Sequence, residues 1–349
     1  MFVSDLFDKA ELEAHIADGY VSVRAHDEYP LSVLNYTSRA AFDYRWNHVT
    51  KTCRGLVIDH ETDRVVARPF PKFFGVSEYA ADELDAMGSF EIFDKLDGSL
   101  GVLVQGYGGP LIATRGVFHG PQAEHATALL SDRYADVRFP AGVTAMFEIV
   151  YPQNRIIVDY GEMDDLVYLG AVGLDGAEVD AERYWPGPTV EKLGTAESLE
   201  TIPDSIAQRA GAEGLVLRFG SGVATTRIKI KQDDYVSLHR ALFNTSPKAL
   251  RRVFLEDPGS AIRFVADLPE QIQPEFRTML RDLMVSTDEV LDGANELFSQ
   301  MQPVADEPRL LAEAMGTHEL RTLVFHLSRG RDIAALARKI ACERARRGA

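Results

Sequence analysis

The sequence predicts an α+β protein in two parts, a mainly antiparallel strand-rich region over about residues 1–240 and an all-helical region over about 241–349. Three observations carry this. Short apolar runs bounded by Asp, Gly and Pro clusters recur through the first two thirds of the chain, the pattern of strands joined by turns. Beyond about Lys231 such runs stop and apolar residues recur at helical spacing. Prolines at 247, 258, 269, 274, 303 and 308 punctuate the second part.

Taken in order, Asp5–Asp18 fits a short helix. Arg54–Asp59 and Arg64–Arg68 flank the turn His60–Asp63 and predict a hairpin. Ala81–Met87 fits a second helix, and an apolar strand ends at Lys95. Ser99–Val104 and Leu111–Thr114 flank the Gly-rich segment Gln105–Pro110, a second hairpin. A third helix fits Pro121–Tyr134. Val143–Val150, Leu166–Val172, Gly214–Phe219 and Arg227–Lys231 add four strands. The last alternates cleanly, isoleucines on one face and basic residues on the other. Helical spacing then marks Ser246–Phe254, Gln271–Met284, Thr287–Met301 and Arg309–Met315.

The chain has 349 residues and a formal net charge of −16, with 46% apolar and 26% charged residues. That balance is ordinary for a soluble globular protein and argues against one that coats nucleic acid non-specifically, since phosphate binding needs positive charge. Charge is uneven, however. Residues 162–204 hold eleven acidic and two basic side chains, whereas residues 321–349 hold eight basic and two acidic. With two cysteines, Cys53 and Cys342, neither a disulfide scaffold nor a multi-cysteine zinc cluster is available. The first residues carry no basic stretch followed by an apolar one, and no apolar run of about 18 residues occurs. No signal peptide, no membrane and a cytoplasmic location are the expectations.

The strongest local signal is Phe93-Asp-Lys95-Leu-Asp97-Gly98-Ser-Leu. A lysine at the end of an apolar strand, before a tight Asp-Gly turn, can be desolvated and flanked by cations. Both would depress its pKa and free the amine as a nucleophile. Four segments keep it company. Arg54 opens a strand, and Lys72-Phe73-Phe74 follows another. Glu148 and Glu213 each place a carboxylate in or beside an apolar strand. Lys229 and Lys231, two apart on one strand, point the same way, and an anion between them would relieve their repulsion. Singly these residues read as solvated sheet faces or surface charges. Jointly they suit a nucleoside triphosphate with a metal ion.

That order of segments resembles the nucleotidyltransferase superfamily of ATP-dependent ligases and capping enzymes, and within it the phage-type RNA ligase 1 family. Lys95-Leu-Asp-Gly98 matches the first motif, Phe147-Glu148 the third, Glu213-Gly-Leu-Val216 the fourth and Lys229-Ile-Lys231 the fifth. Cys53-Arg54-Gly55, Lys72-Phe73-Phe74, the run Tyr151–Tyr160 and Tyr235 extend the likeness over roughly residues 36–235. The resemblance implies an antiparallel nucleotidyltransferase domain, ATP and Mg²⁺ as cofactors, and RNA with 5′-phosphate and 3′-hydroxyl ends, such as broken tRNA, as partner. It implies that Lys95 becomes lysyl-AMP and passes AMP to the RNA 5′-phosphate, after which the 3′-hydroxyl displaces AMP.

Carried over by position, Arg54, Lys72, Lys229 and Lys231 would meet ATP phosphates or shape the charge around Lys95. Glu148 would hold the ribose or polarise the site. Glu213 would hold the metal or orient the lysine. Tyr36, Phe74 and Gly98 would line the nucleotide pocket, and Tyr235 would serve a late step. Arg115 stands where the family commonly has lysine, keeping the charge with a different fork. The helical region would recognise RNA, with the basic residues from Arg329 to Arg347 as candidate phosphate contacts. A DNA-end ligase and a catalytically idle RNA-end binding module are the alternative readings, and nothing in the sequence fixes an oligomeric state.

Overall fold

The computed structural model describes residues 1–207, 209, 211–232, 245–268 and 272–347. Contacts divide the chain into two units, Met1–Leu242 and Phe243–Ala349.

In the first unit, apolar alternation has produced three sheets. One is a meander of β1 (Val21–Ala25), β2 (Leu31–Tyr36), β3 (Arg54–Asp59) and β4 (Arg64–Ala67). Then follow β5 (Phe74–Gly75), β6 (Phe90–Lys95), β7 (Ser99–Val104), β8 (Leu111–Thr114), β9 (Val143–Val150), β10 (Asp165–Gly173), β11 (Glu178–Val179), β12 (Lys192–Ala196), β13 (Gly214–Phe219) and β14 (Thr226–Lys231). They form two five-stranded sheets, in the orders β11-β10-β9-β7-β8 and β12-β6-β13-β14-β5. Strand pairing is antiparallel except between β14 and β5. Sequential strands β6 and β7 belong to different sheets, so the turn after Lys95 carries the chain from one sheet to the other.

The sheets stack in layers, and the β7 sheet is covered on both faces. Leu31, Val33 and Val57 of the meander pack against Val102, Val104 and Ala113 of the β7 sheet. That sheet's other face covers Leu129 and Leu130 of the helix Pro121–Arg133, together with Phe147 and Trp185. Phe147 is fully buried, its ring 4.6 Å from that of Trp185. Truncating such a side chain typically costs about 3–5 kcal/mol, so the strand that carries Glu148 is firmly pinned. Ile92, Leu215, Leu217 and Ile228 form the core of the third sheet.

The second unit is helical: Pro247–Glu256, Pro258–Ala266, Gln273–Met301, Pro308–Met315, Arg321–Leu327 and Ala334–Arg347. One expectation is corrected here. Gln271–Met284 and Thr287–Met301 read as separate helices, but a single helix runs over Gln273–Met301, with the Thr287 hydroxyl satisfied by donating to the Leu283 carbonyl at 2.7 Å. Pro258 stands at the first position of its helix, which needs no N–H. In the first unit, strands β1 and β2 and the short β5, β11 and β12 escaped the sequence reading. The first helix proper is Lys9–Ala17, capped by Asp8. Among the described residues no helix is long and apolar enough to cross a membrane.

Candidate active site

Strands β6, β13 and β14 lie side by side, and their pleat decides which side chains meet. In β14, Ile228 and Ile230 turn to the core, which leaves Arg227, Lys229 and Lys231 on the other face. The register sets Gly214 between Lys95 and Lys231. Glu213, one residue earlier, is buried and bridges the pair. Its Oε2 accepts from Lys95 Nζ at 2.5 Å and its Oε1 lies 3.1 Å from Lys231 Nζ. A Cβ at Gly214 would stand 2.0 Å from the Ile230 carbonyl oxygen and 2.8 Å from Lys231 Cα. Only glycine lets the three strands close at this point.

Burial works against the Lys95 charge, but Glu213, Glu148 and Asp97 outweigh it and raise the pKa above the ordinary lysine value. The expected desolvation is there, but the expected depressed pKa is corrected to a raised one. The charges nearest this nitrogen are carboxylates, and Lys95 rests as an ammonium. Burial likewise disfavours the Glu213 carboxylate, yet Lys95 and Lys231 hold its pKa below the usual carboxylate range.

The turn that follows is tied down from a distance of some sixty residues. Asp97 is buried, and its Oδ2 accepts from the backbone N–H groups of Ile157 at 2.8 Å and Val158 at 2.9 Å. Its own N–H donates to the Tyr160 hydroxyl at 2.8 Å. Asn154 adds a bond from Nδ2 to the Ile149 carbonyl at 2.9 Å and faces the Ser99 hydroxyl. The run Tyr151–Tyr160 is therefore the anchor of the Lys95 turn, a job the sequence reading did not assign. At Gly98, a Cβ would come within 2.6 Å of the Ile149 carbonyl oxygen and 3.1 Å of Glu148 Cγ, so the turn presses directly on the strand bearing that glutamate.

Between the β6 and β7 sheets lies a cavity of about 150 Å³ with Lys95 on its wall. Arg54, Glu148 and Lys229 share the lining with Lys95, as do Arg218 and Arg227. The two arginines were not foreseen. Arg218 is paired with Glu91 and, at 3.3 Å, with Glu178; Arg227 is paired with Glu178 and lies 3.6 Å over the Phe70 ring. Glu178 belongs to β11 in one sheet, whereas Arg218 and Arg227 belong to the other. The acidic stretch 162–204 thus supplies the carboxylate that ties the two walls of the cavity together.

Glu148 sits in β9 opposite Leu100. Burial raises its pKa to about 8, with Lys95 opposing and Glu213 adding to the rise. At neutral pH it is mostly a neutral acid, able to donate a hydrogen bond. An unfolded glutamate ionises near 4.5, so between 4.5 and about 8 the unfolded chain releases a proton that the folded protein keeps. Stability falls across this window as pH rises. Glu148→Gln is expected to remove that fall, read from Tm at the two ends of the window; a variant whose Tm tracks the wild type throughout would rule out a neutral Glu148.

Not every expected residue reaches the cavity. Lys72 and Phe74 line an adjoining hollow of about 450 Å³ with Trp46 and Lys51, and Lys72 Nζ stands 4.7 Å over the Phe74 ring. The two hollows share Phe70, Phe73 and Arg227. Tyr36 and Arg115 line neither. They contact one another instead, the Arg115 guanidinium donating to the Tyr36 hydroxyl at 3.1 Å. Tyr235 lies outside the described residues. No group of three metal-binding side chains occurs among the described residues. Both Glu213 oxygens face ammonium groups, which suits orienting Lys95 better than holding a metal ion.

The family model described as RNA ligase matches residues 52–235, just over half of the chain and the span from Cys53 to Tyr235 that holds this site. The chain belongs to the phage-type RNA ligase family. Among its relatives, a candidate RNA ligase of Thermovibrio ammonificans is 26% identical over 310 residues, covering 81% of this chain and 80% of that protein. A candidate bifunctional polynucleotide kinase/RNA ligase of Autographa californica nuclear polyhedrosis virus is 26% identical over 251 residues, 63% of this chain. The match spans only 35% of that viral protein's length. Among solved structures, a candidate ATP-dependent DNA ligase from Aquifex aeolicus aligns over 93% of this chain and all of its own, at 14% identity and a TM-score of 0.49.

Proposed function

We propose that this protein is an ATP-dependent RNA ligase that seals a 5′-phosphate to a 3′-hydroxyl through lysyl-AMP at Lys95, and that its task is RNA repair, with broken tRNA as a substrate. The observation that carries the reading is the Lys95–Glu213–Lys231 bridge, whose Lys95 lines a cavity that also presents Arg54 and Lys229. An amine held in place, in a cavity with cations to neutralise phosphate charge, is what an attack on a polyanionic phosphate requires.

In the first step the Lys95 ammonium gives up a proton to solvent, while Glu213 Oε2, at 2.5 Å, holds the amine in place. The freed nitrogen attacks the α-phosphorus of ATP; the N–P bond forms, the bond to the β-phosphate oxygen breaks, and pyrophosphate leaves. Arg54, Lys72, Lys229 and Lys231 neutralise phosphate charge, and Glu148, neutral, donates to the nucleotide ribose. An oxygen of the RNA 5′-phosphate then attacks the same phosphorus, the N–P bond breaks, and Lys95 recovers its proton. Finally the 3′-hydroxyl attacks the adenylylated 5′-phosphate and AMP departs, with Tyr235 serving this late step. Mg²⁺, when bound, would supply further charge neutralisation and would be held mainly by the substrate phosphates, as is common for this ion.

Intact mass spectrometry of the protein mixed with ATP and Mg²⁺ should show a covalent AMP adduct, released as adenylylated RNA when a 5′-phosphorylated strand is added. A protein that never gains the adduct overturns the reading. Transfer to DNA ends with equal efficiency would keep the first step and change the substrate.

A further inference from the structure

The 450 Å³ hollow beside the Lys95 cavity is more aromatic than phosphate binding alone requires. Trp46, Phe74, Tyr44 and Tyr79 line it together with the ammonium groups of Lys51 and Lys72. The chain builds this wall locally. Tyr44 takes a left-handed conformation, φ 55°, uncommon for so bulky a residue, and the Trp46 N–H donates to its carbonyl at 2.9 Å. That tight turn delivers Trp46. Asn47 then caps the helix His48–Thr52, which carries Lys51. Lys72 is hung beside Lys51 by the backbone, its N–H donating to the Lys51 carbonyl at 2.7 Å.

Rings and cations follow one another along the wall. The Trp46 ring meets Phe74 at 5.5 Å and Tyr36 at 5.0 Å, at 73° and 84°, so its plane is fixed by two edges. Lys72 Nζ lies 4.7 Å from the centre of the Phe74 ring and 5.5 Å from that of Trp46, and Lys51 Nζ lies 5.5 Å from that of Phe74. Trp46 and Phe74 stay half-buried and Tyr44 exposed, where a core would enclose them. Two carboxylates on the same wall are engaged by the fold, Glu78 by the Tyr44 hydroxyl and Glu83 by the Ala80 N–H at 2.9 Å. Open aromatic surface beside ammonium groups suits a flat base joined to a phosphate, the unit of a single-stranded nucleic acid. The volume falls within the range of about 300–1,000 Å³ usual for small-ligand sites.

Chemistry at phosphorus decides which nucleotide this is. Entering and leaving groups stand on opposite sides of the phosphorus in such displacements. Lys95 therefore enters opposite the pyrophosphate, and the RNA 5′-phosphate that later expels Lys95 must come from the side the pyrophosphate has left. The hollow adjoins the Lys95 cavity through Phe70, Phe73 and Arg227, and it holds Lys72, one of the cations given to the triphosphate. We propose that, once pyrophosphate has gone, this hollow seats the 5′-terminal nucleotide of the RNA strand, its base stacked on Trp46 and its phosphate beside Lys51 and Lys72. From that seat an oxygen of the 5′-phosphate bonds to the AMP phosphorus, the N–P bond to Lys95 breaks, and the nitrogen regains a proton from solvent. This rests on the reading of the protein as an RNA ligase, and it adds where the 5′-phosphorylated end is held and that its base contributes.

The test loads the full chain with ATP and Mg²⁺, removes excess nucleotide, and times AMP transfer to a 5′-phosphorylated oligoribonucleotide over a range of strand concentrations. Two strands are compared, one intact and one lacking the base of its 5′-terminal nucleotide, with the wild type, Trp46→Ala and Trp46→Phe. At low strand concentration the wild type should transfer AMP to the abasic strand about tenfold less efficiently, the loss of one base–aromatic stack. Trp46→Ala should form the AMP adduct at the wild-type rate, lose a similar factor on the intact strand, and no longer distinguish the two strands. Trp46→Phe, which keeps a ring, should recover most of the loss. Equal transfer to both strands by the wild type would overturn the proposal, and that comparison needs no variant to fold. A Trp46→Ala protein that needs more ATP to form the adduct, yet treats both strands as the wild type does, would overturn it too, since the hollow would then serve the triphosphate alone. A wild type that never gains the adduct overturns the ligase reading, and this seat with it.

Discussion

Lys95→Ala should lose the AMP adduct altogether, with self-adenylylation falling at least about 10³-fold, the scale seen when a catalytic nucleophile is removed. The loss should be confined to the first step. Glu213 keeps its second partner, Lys231 at 3.1 Å, and the turn keeps the Asp97 bonds to Ile157 and Val158, so the fold has no reason to open. The variant should therefore still seal an RNA strand supplied already adenylylated. A residual adduct in Lys95→Ala would place the nucleophile elsewhere. Failure to seal the preformed adenylate would mean that Lys95 also serves the later steps.

Glu213→Ala should have the largest effect on stability. It removes the one carboxylate shared by two lysines whose side chains are 20% and 16% exposed, and leaves two ammonium groups facing each other across Gly214. Breaking a buried ion pair on one side costs about 3–5 kcal/mol. In a unit of this size that lowers Tm by roughly 10 °C. Adding Lys231→Met to Glu213→Ala should recover part of the loss, because one of the two like charges is then gone. A Glu213→Ala protein that melts with the wild type would show that water screens this site far more than its burial indicates. Acid should imitate the substitution: the Glu213 pKa is held low in the folded protein, so its stabilisation is present above the ordinary carboxylate pKa and is lost as pH falls through the folded value.

Much of this arrangement was legible in the sequence. Lys95, Glu148, Arg54 and Lys229 all line one cavity, and Glu213 and Lys231 meet beside it, because a strand's period of two is simple to read and the spacing of the motifs fixes which strand carries each. What escaped depends on register between distant strands. Arg218 and Arg227 were not singled out, since nothing local reveals that Glu178, forty residues before Arg218, stands opposite them in another sheet. The charge state of Lys95 was misjudged for the same reason: the sequence displays cations near it, while the fold brings Glu213 to 2.5 Å. The hydrogen bond between Tyr36 and Arg115 was equally hidden, because the two residues lie 79 apart in the chain. The strands β1 and β2 are separated by the polar connection His26-Asp27-Glu28, and β2, Leu-Ser-Val-Leu-Asn-Tyr, breaks alternation at Val33-Leu34.

The three-strand row at the active site also imposes an order on biosynthesis. Lys95 is made early, but the loop that latches its turn is complete only at Tyr160, and the last strand of the row ends at Lys231. A nascent chain shorter than this has the amine without its counter-ion, its latch or its wall of lysines. The surroundings of Lys95 are thus complete only after 136 further residues have been joined to it, when Lys231 is in place.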